Sequence, residues 1–321
     1  MVACGKGARG KGWRQRAAPP GERHAAALPD GAGRRPQQGG RARGRQGARA
    51  ARGRGGESAM RENAYRARAE RGEVQIGTWI TMIRTPSVLM LLQGAGLDFA
   101  RLDMEHSPFS METLADMAAL ARALEFPLVV RPPEGNREWI TRLLDAGVWN
   151  LHIPQVDTPE QAAAVAACCR YAPEGERGMY GFGPATEYRA VPARELTAAA
   201  NARVHVTVML ESKRAFDRLD EIASVPGIDA LTLGPTDLAQ DLGVLGTPAQ
   251  REALTAHRRR LVDAARKHGK QVSMAIDSVE GVREMIALGA TIVNYASDAA
   301  VLRSGYATAV EEIRRALPSR R

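Results

Sequence analysis

Apolar and polar positions follow one repeating order from residue 74 onward: a short apolar run, a polar loop, and then apolar residues at helical spacing. Short apolar runs bounded by turn residues are typical of buried strands. Eight such runs predict strands at Ile76–Ile80, Phe99–Met104, Pro127–Arg131, Trp149–Ile153, Val204–Glu211, Ile228–Leu233, Gln271–Ile276 and Thr291–Tyr295.

Segments with helical spacing separate these strands. They predict helices at Met111–Leu124, Glu138–Ala146, Pro159–Tyr171, Ser212–Ser224, Pro248–Lys267, Ser278–Leu288 and Ala299–Leu317. Eight strands that alternate with helices over about 250 residues indicate an α/β fold of the (β/α)₈ TIM barrel type. A doubly wound sheet would also alternate, but it usually has fewer strands, and no glycine-rich phosphate motif follows the first strand here.

Charged or glycine-containing groups stand where four of the predicted strands end. These groups are Asp103, Glu105 and His106; Arg131; Glu211; and Gly234-Pro235-Thr236-Asp237. The carboxyl ends of barrel strands converge on one mouth, so the fold would bring the four groups together. Charges that only decorate a solvated surface should fall equally on both rims. The pattern therefore predicts one polar site at the mouth.

The net charge of +9 is confined to the start of the chain. Residues 1–59 contain 14 Lys plus Arg against 3 Asp plus Glu, so the remaining residues carry −2. This glycine-rich stretch has no apolar periodicity, which predicts a disordered leader followed by one barrel domain at 60–321. It is similar to Arg/Gly-rich RNA-binding tails but lacks Phe and Tyr for base stacking. The alternative that we favour is a start codon assigned upstream of the true one, Met60.

Cysteine usage and hydropathy bear on the compartment. The three cysteines, Cys4, Cys168 and Cys169, are too few and badly placed for a disulfide framework or a zinc site. No apolar run has the roughly 18 residues that a bilayer-spanning helix needs, and no secretory signal precedes the barrel. We expect a cytoplasmic protein without a membrane partner, and we do not expect nucleic acid as a ligand. His152 and His205, inside predicted strands, are expected to form core or rim hydrogen bonds.

The motifs, taken in order, resemble those of the HpcH/HpaI aldolase family, the metal-dependent pyruvate aldolases that include 4-hydroxy-2-oxoheptanedioate aldolase. The resemblance runs from about residue 60 to 317. It rests on GTWI at Gly77–Ile80, LDMEHSP at Leu102–Pro108, VVRPP at Val129–Pro133, LLDAGVWNLHIPQV at Leu143–Val156, RYAPEGERG at Arg170–Gly178, MLES at Met209–Ser212 and LGPTDLAQDLG at Leu233–Gly243.

The resemblance implies a metal site. Glu211 and Asp237 would be the protein ligands of a divalent cation, Mg²⁺, Mn²⁺ or Co²⁺. Two carboxylates with several waters suit a hard, six-coordinate ion. Considered alone, Glu211 could equally be an acid that favours the dipole of the helix after it. Lys213, two residues later, could suggest a Schiff-base aldolase, but it begins a predicted helix and the other residues already account for the site.

The resemblance also implies the catalytic residues. Arg131 would stabilise the enolate at the keto oxygen, a role that suits a permanently charged planar guanidinium; a salt bridge to a barrel carboxylate could coexist with it. His106 would be the general base, since its ordinary pKa of about 6.5 is close to neutral. Asp145 would pair with His106. Its carboxylate precedes Gly147 at a helix end, where it opposes the helix dipole.

The remaining implied positions concern substrate. Gly234, Pro235, Thr236 and Trp79 would bind the keto acid, with backbone N–H groups at a helix start facing its carboxylate. Asp103 and Glu105 would hold waters or loop backbone. Met209 stands where heptanedioate aldolases commonly have Gln, and Met179–Arg189 also departs from the usual family sequence. The pyruvate half of the site therefore matches the family, whereas the natural aldehyde is open.

The predicted activity is reversible cleavage of a 4-hydroxy-2-oxo acid into pyruvate and an aldehyde, which makes the chain a lyase whose partners are small molecules. One enzyme alternative uses the same enolate for condensation with a keto acid or for decarboxylation. A non-enzyme alternative is an RNA-associated protein that acts through the leader. The family exchanges its last helix between subunits, so the resemblance also predicts a homo-oligomer, with a hexamer favoured. The alternative is that the last helix, Ala299–Leu317, covers its own barrel.

Overall fold

The computed structural model describes residues 61–317, and the prediction made for residues 1–59 lies outside them. Eight parallel strands form a closed barrel in sequence order, which confirms the predicted (β/α)₈ fold. The strands are β1 Gln75–Ile80, β2 Phe99–Asp103, β3 Leu128–Arg131, β4 Asn150–Ile153, β5 His205–Leu210, β6 Ala230–Leu233, β7 Gln271–Ile276 and β8 Ile292–Ser297.

Helices surround the barrel and connect its strands. They are α1 Ala64–Glu70, α2 Val88–Gly94, α3 Met111–Leu124, α4 Arg137–Asp145, α5 Pro159–Cys169, α6 Ala193–Arg203, α7 Lys213–Asp217, α8 Leu219–Ser224, α9 Pro235–Asp241, α10 Gln250–Lys267, α11 Val279–Leu288 and α12 Asp298–Ala316. Among the described residues, no helix has both the length and the apolar character needed to cross a membrane.

The helices differ from the prediction in two respects. The segment 212–224, predicted as one helix, is two, because Arg218 leaves the helical region with φ −112° and ψ 18°. Four helices that the sequence analysis did not identify are present, namely α1, α2, α6 and α9. Three of these have only seven residues, which is too short for a helical period to stand out in a sequence.

The end of the barrel at which the strands begin is closed by α1. Tyr65 is fully buried and packs edge-on against Phe99 of β2, with 5.1 Å between ring centroids. The Gln75 side chain of β1 donates a hydrogen bond to the Tyr65 carbonyl. Gly77 leaves room for this packing, since a Cβ there would lie 2.4 Å from the Phe99 ring. The opposite end, where the strands finish, is therefore the open one.

The last helix, α12, does not cover its own barrel. Every residue from Val301 to Leu317 is exposed, so only the start of the helix contacts the rest of the chain. Part of the barrel wall is correspondingly bare: Ile76, on β1, is 38% exposed although it belongs to a closed barrel. The alternative in which the last helix packs on its own barrel is therefore wrong for this chain.

Asp298, the first residue of α12, connects the start of this helix to the loop after β1. Its buried carboxylate accepts hydrogen bonds from the Thr81 N–H (2.9 Å) and hydroxyl (2.7 Å), the Met82 N–H (3.0 Å) and the Ile83 N–H (2.8 Å). Burial alone would raise the pKa of Asp298, but these hydrogen bonds outweigh it and hold the pKa below its ordinary value. Asp298 therefore favours the folded state in its ionised form.

This arrangement predicts an acid-dependent loss of stability. Because the folded-state pKa of Asp298 is lowered, its contribution is fully present above the unfolded pKa of about 3.9 and disappears as pH falls through the folded value. Asp298→Ala should lower the free energy of unfolding by about 2 kcal/mol at pH 7, because it leaves loop N–H groups unpaired. Asp263→Asn, at an exposed carboxylate of α10, is the control. Equal denaturation midpoints for the Asp298 variant and wild type at pH 7 would contradict this role.

Candidate active site

Arg131, at the end of β3, is held by two carboxylates from the end of β2. Its Nε and Nη2 donate to the two oxygens of Asp103 at 2.9 and 2.8 Å, and its Nη1 lies 2.9 Å from Glu105 Oε2. Asp103 and Arg131 are both buried. The register of the barrel sets this geometry, because Asp103 and Arg131 are paired neighbours on adjacent parallel strands. The guanidinium is therefore fixed in one plane at the mouth.

Asp103 also shapes the loop that carries His106. Its Oδ1 accepts hydrogen bonds from the Glu105 N–H at 3.0 Å and the His106 N–H at 3.3 Å. This directs the Glu105 carboxylate towards Arg131, while His106 remains 63% exposed, with its Nε2 3.6 Å from Glu105 Oε2. Burial raises the pKa of Glu105, and the positive charge of Arg131 opposes that shift. An accessible imidazole thus lies beside a held carboxylate.

Gln155 joins two parts of the site and was missed by the sequence analysis. Its backbone N–H donates to Glu211 Oε1 at 2.8 Å, and its side-chain amide donates to Glu105 Oε1 at 3.1 Å. Its φ of 55° lies in the left-handed region, which costs a non-glycine residue of order 1 kcal/mol and often marks functional backbone. The local sequence Ile153–Val156 does not predict this conformation, so the role of Gln155 is seen only in the structure.

Glu211 follows β5 and faces other carboxylates. Burial raises its pKa to about 7; the Gln155 N–H opposes this shift, while the negative charges of Asp237 and Glu105 add to it. Gly234, after β6, allows the close approach of this side chain, since a Cβ on Gly234 would lie 2.3 Å from Glu211 Oε2. A buried carboxylate among like charges is a site that a cation would stabilise.

The segment after β6 completes the mouth. Gly234 is the N-cap of α9, and Pro235, Thr236 and Asp237 form the first turn of that helix, with Thr236 and Asp237 exposed. In residues 61–317, no three Asp, Glu, His or Cys side chains converge closely enough to hold a metal by themselves. Glu211 and Asp237 are nevertheless two hard oxygen donors of like charge, and such a pair fits a divalent cation that keeps several water or substrate ligands.

Two of the remaining predicted residues line the barrel near the clamp, the name used here for Arg131 held between Asp103 and Glu105. The Arg131 guanidinium lies over the Trp79 ring, 4.6 Å from its centroid, which places the indole under the clamp. Met209 is buried on β5, two residues before Glu211, and its carbonyl accepts a hydrogen bond from the Val156 N–H. Lys213 is exposed at the first position of α7, outside the group around Arg131.

Asp145 is the predicted residue that the structure does not bring to this group. It ends α4, just before β4 begins, so it lies towards the barrel end opposite the mouth. Its carboxylate accepts a hydrogen bond from Arg177 Nη2 at 2.8 Å. A pair between His106 and Asp145 is therefore not formed within one chain, and the carboxylate beside His106 is that of Glu105. The unfavourable helix-end position of Asp145 is explained by Arg177.

Comparisons with known proteins point to one family. A model of the HpcH/HpaI aldolase/citrate lyase family matches residues 75–304. The 5-keto-4-deoxy-D-glucarate aldolase of Klebsiella pneumoniae is 34% identical over 248 residues, which cover 77% of this chain and 95% of that protein. The hydroxypyruvate/pyruvate aldolase of Deinococcus radiodurans is 37% identical over 245 residues, which cover 75% of this chain and 86% of that protein.

A solved structure supports the same relationship. The HpcH/HpaI aldolase from Desulfitobacterium hafniense DCB-2 superposes with a TM-score of 0.75 at 26% identity, covering 79% of this chain and 97% of that chain. The family resemblance predicted from the motifs is confirmed. The chain belongs to the HpcH/HpaI aldolase/citrate lyase family and is an enzyme of the lyase class.

Proposed function

We propose that the chain is a divalent-metal-dependent aldolase that reversibly cleaves a 4-hydroxy-2-oxo acid into pyruvate and an aldehyde through a pyruvate enolate. The observation that carries the proposal is the clamp of Arg131 between Asp103 and Glu105, beside the carboxylates of Glu211 and Asp237. The names of the relatives, aldolases for a keto-deoxy sugar acid and for hydroxypyruvate and pyruvate, support this reaction class.

Arg131 has donors left for a substrate. A guanidinium carries five N–H groups. Two of them donate hydrogen bonds to Asp103, and Nη1 forms an ion pair with Glu105. The N–H groups that donate no hydrogen bond within the protein remain for the keto oxygen and carboxylate of a 2-oxo acid. Because the clamp fixes the guanidinium before substrate arrives, little reorganisation accompanies the growth of negative charge on the enolate oxygen.

The acidic residues have a separate role. Glu211 and Asp237 would hold a Mg²⁺, Mn²⁺ or Co²⁺ ion, which supplies Lewis-acid polarisation of the keto group when bound. Gln155 keeps the Glu211 carboxylate in place through its backbone N–H. Gly234 allows that carboxylate to lie against the start of α9, near Asp237.

His106 would move the proton. In the cleavage direction it accepts the proton of the C4 hydroxyl group, directly or through water, as the C3–C4 bond breaks and the aldehyde forms. Its exposure at the mouth suits a group that must reach the aldehyde half of the substrate. The Glu105 carboxylate lies next to its Nε2, at 3.6 Å.

We also propose that this reaction takes place in the cytoplasm.

Turnover with and without metal tests the proposal. The purified protein is incubated with Mg²⁺, Mn²⁺ or Co²⁺, pyruvate and a panel of aldehydes, and the products are then cleaved again in a coupled assay for pyruvate. We expect carbon–carbon bond formation with at least one aldehyde, loss of turnover in EDTA, and recovery when metal is restored. A covalent adduct trapped by borohydride and pyruvate would instead indicate a lysine Schiff base.

We further propose that the enzyme is a homo-oligomer, with a hexamer favoured, in which α12 packs on a neighbouring subunit. The exposed helix carries a set of large apolar side chains, namely Val301, Leu302, Tyr306, Val310, Ile313 and Leu317. An apolar helix face of this size is rarely left in water. The bare barrel wall at Ile76 offers a second copy the kind of surface that such a helix needs.

Oligomer size after a change on α12 tests this assembly. Ile313→Glu places a charge in the apolar face and should reduce the mass measured by light scattering at low micromolar concentration. Arg314→Glu, at the adjacent position, should leave it unchanged. Truncation after Ser297 should abolish the assembly, because it removes the whole helix. A wild-type protein that is an active monomer would contradict the proposal.

A further inference from the structure

Arg101 is a buried cation inside the barrel, directly below the candidate site. It lies on β2, two residues before Asp103 on the same inward face, and is 1% exposed. Its guanidinium carbon lies 5.1 Å from the centroid of the Trp79 ring and 5.7 Å from that of Phe99. Its hydrogen bond to Ser273 Oγ, at 3.4 Å, is long.

The charge of Arg101 has no partner of opposite sign. Of the residues that the structure describes, none forms a salt bridge with it; its Nε has no acceptor, and the side chain that attracts it electrostatically is the Tyr65 phenol. Burial lowers the pKa of Arg101 to about 10, so the guanidinium is still charged at neutral pH. A buried charge without a counter-ion is unfavourable for folding, and it persists where function compensates for it.

The neighbouring titratable groups do not neutralise it. Burial raises the pKa of the Tyr65 phenol, which therefore remains protonated. Burial also lowers the pKa of His152 well below its ordinary value, with further lowering by Arg101 and Arg131. His152 lies edge-on to Trp79, with 5.5 Å between ring centroids, and neither of its nitrogens has a hydrogen-bond partner among the described residues, unlike the sequence prediction. Arg101 thus supplies one full positive charge to the layer of side chains inside the barrel that also contains Tyr65 and His152.

The charged groups at the barrel mouth lie above Arg101, and its positive charge can act on them. The mouth gathers four carboxylates, those of Asp103, Glu105, Glu211 and Asp237, and Arg131 contacts the first two of them. Trp79 lies between the layers and contacts both guanidinium groups, at 5.1 and 4.6 Å from its centroid. The low dielectric of the interior lets a charge there act over several ångströms.

We propose that Arg101 is a positioning residue whose buried charge sets the ligand balance of the site, strengthening the binding of an anionic 2-oxo acid and its enolate and weakening the binding of the divalent cation. The inference rests on the proposed function. It predicts effects of opposite sign on two ligands of the same site. General damage to the barrel, in contrast, would weaken the binding of both.

The experiment measures these two affinities by isothermal titration calorimetry on the full-length protein. Mn²⁺ is titrated first, and then oxalate, a planar dianion that resembles the enolate, is titrated into the Mn²⁺-loaded protein. Arg101→Met removes the charge and keeps most of the volume, while Arg101→Lys keeps the charge. Ser273→Ala, which removes the hydrogen-bond partner alone, is the matched control.

We expect Arg101→Met to bind Mn²⁺ roughly tenfold more tightly and oxalate roughly tenfold more weakly than wild type, the scale of one unit charge at short range in a partly screened interior. Arg101→Lys and Ser273→Ala should stay within about twofold for both ligands, since neither removes the charge. If Arg101→Met does not fold, Arg101→Gln replaces it with the same expected signs.

The outcomes separate this inference from the proposed function. Wild-type protein that binds no Mn²⁺ would overturn the metal-dependent function, and the role of Arg101 with it. Wild-type protein that binds both ligands, together with an Arg101→Met variant that weakens both or changes neither, would overturn only the role of Arg101.

Discussion

Replacing Arg131 with alanine should lower kcat for aldol cleavage by about 10² to 10³-fold, the usual cost of removing one preorganised donor at a developing oxyanion. The guanidinium is held by Asp103 on one side and Glu105 on the other, so the alanine variant loses a donor that is already in place before substrate binds. Steady-state kinetics at saturating metal would measure the effect. Arg142→Ala, at an exposed arginine of α4, should leave kcat unchanged.

Arg131→Lys separates charge from geometry. An ammonium group keeps the charge but cannot donate to both Asp103 oxygens in one plane while also contacting Glu105. We therefore expect kcat to remain at least tenfold below wild type, with a smaller loss than in the alanine variant. Turnover near the wild-type rate in Arg131→Lys would show that planar recognition is not required.

Stability must be followed in the same variants. Removing Arg131 leaves the buried carboxylate of Asp103 without its cation, and breaking a buried pair in this way costs about 3–5 kcal/mol. Urea denaturation of each variant would establish whether the protein is folded under the assay conditions. A large loss of kcat in a variant that remains folded is the result that supports a catalytic role.

The barrel was predictable because its signal is repeated. Each strand–helix unit has the same apolar order, so an error in one unit does not alter the interpretation of the whole. Single helices were less predictable: the break at Arg218 depends on one backbone angle, and α9 is too short to show a period. Such features are decided by tertiary contacts, which a sequence pattern does not contain.

Some residues of the site could be predicted from the sequence, and others could not. Residues at strand ends, such as Arg131 and Glu211, could be located because the barrel brings those ends together. Gln155 could not, because its hydrogen bond to Glu211 depends on a left-handed backbone conformation within an ordinary apolar segment. Arg101 was hidden by its setting, since a single charge inside an apolar strand does not reveal which way it points. For Asp145, an unusual helix position suggested catalysis, whereas the structure gives it Arg177 as a partner.

Gly234→Ala should disable the proposed metal site without removing any ligand. The φ of Gly234 is −85°, which any residue adopts, so backbone strain is not the reason. The reason is space: a Cβ on Gly234 would lie 2.3 Å from Glu211 Oε2 and 2.7 Å from Glu211 Cβ. The Glu211 carboxylate must therefore move, and its hydrogen bond from the Gln155 N–H would be lost or lengthened.

We expect the Gly234→Ala variant to bind Mn²⁺ about 10 to 100-fold more weakly, as when the support of a metal ligand is removed, and to lose kcat/KM to a similar degree at fixed metal concentration. Part of the activity should return at high Mn²⁺, since both carboxylates are still present. Gly94→Ala, at the end of α2 where a Cβ would meet nothing within 4 Å, is the matched control and should behave as wild type. Unchanged Mn²⁺ affinity in a folded Gly234→Ala variant would mean that Glu211 is not a metal ligand in this enzyme.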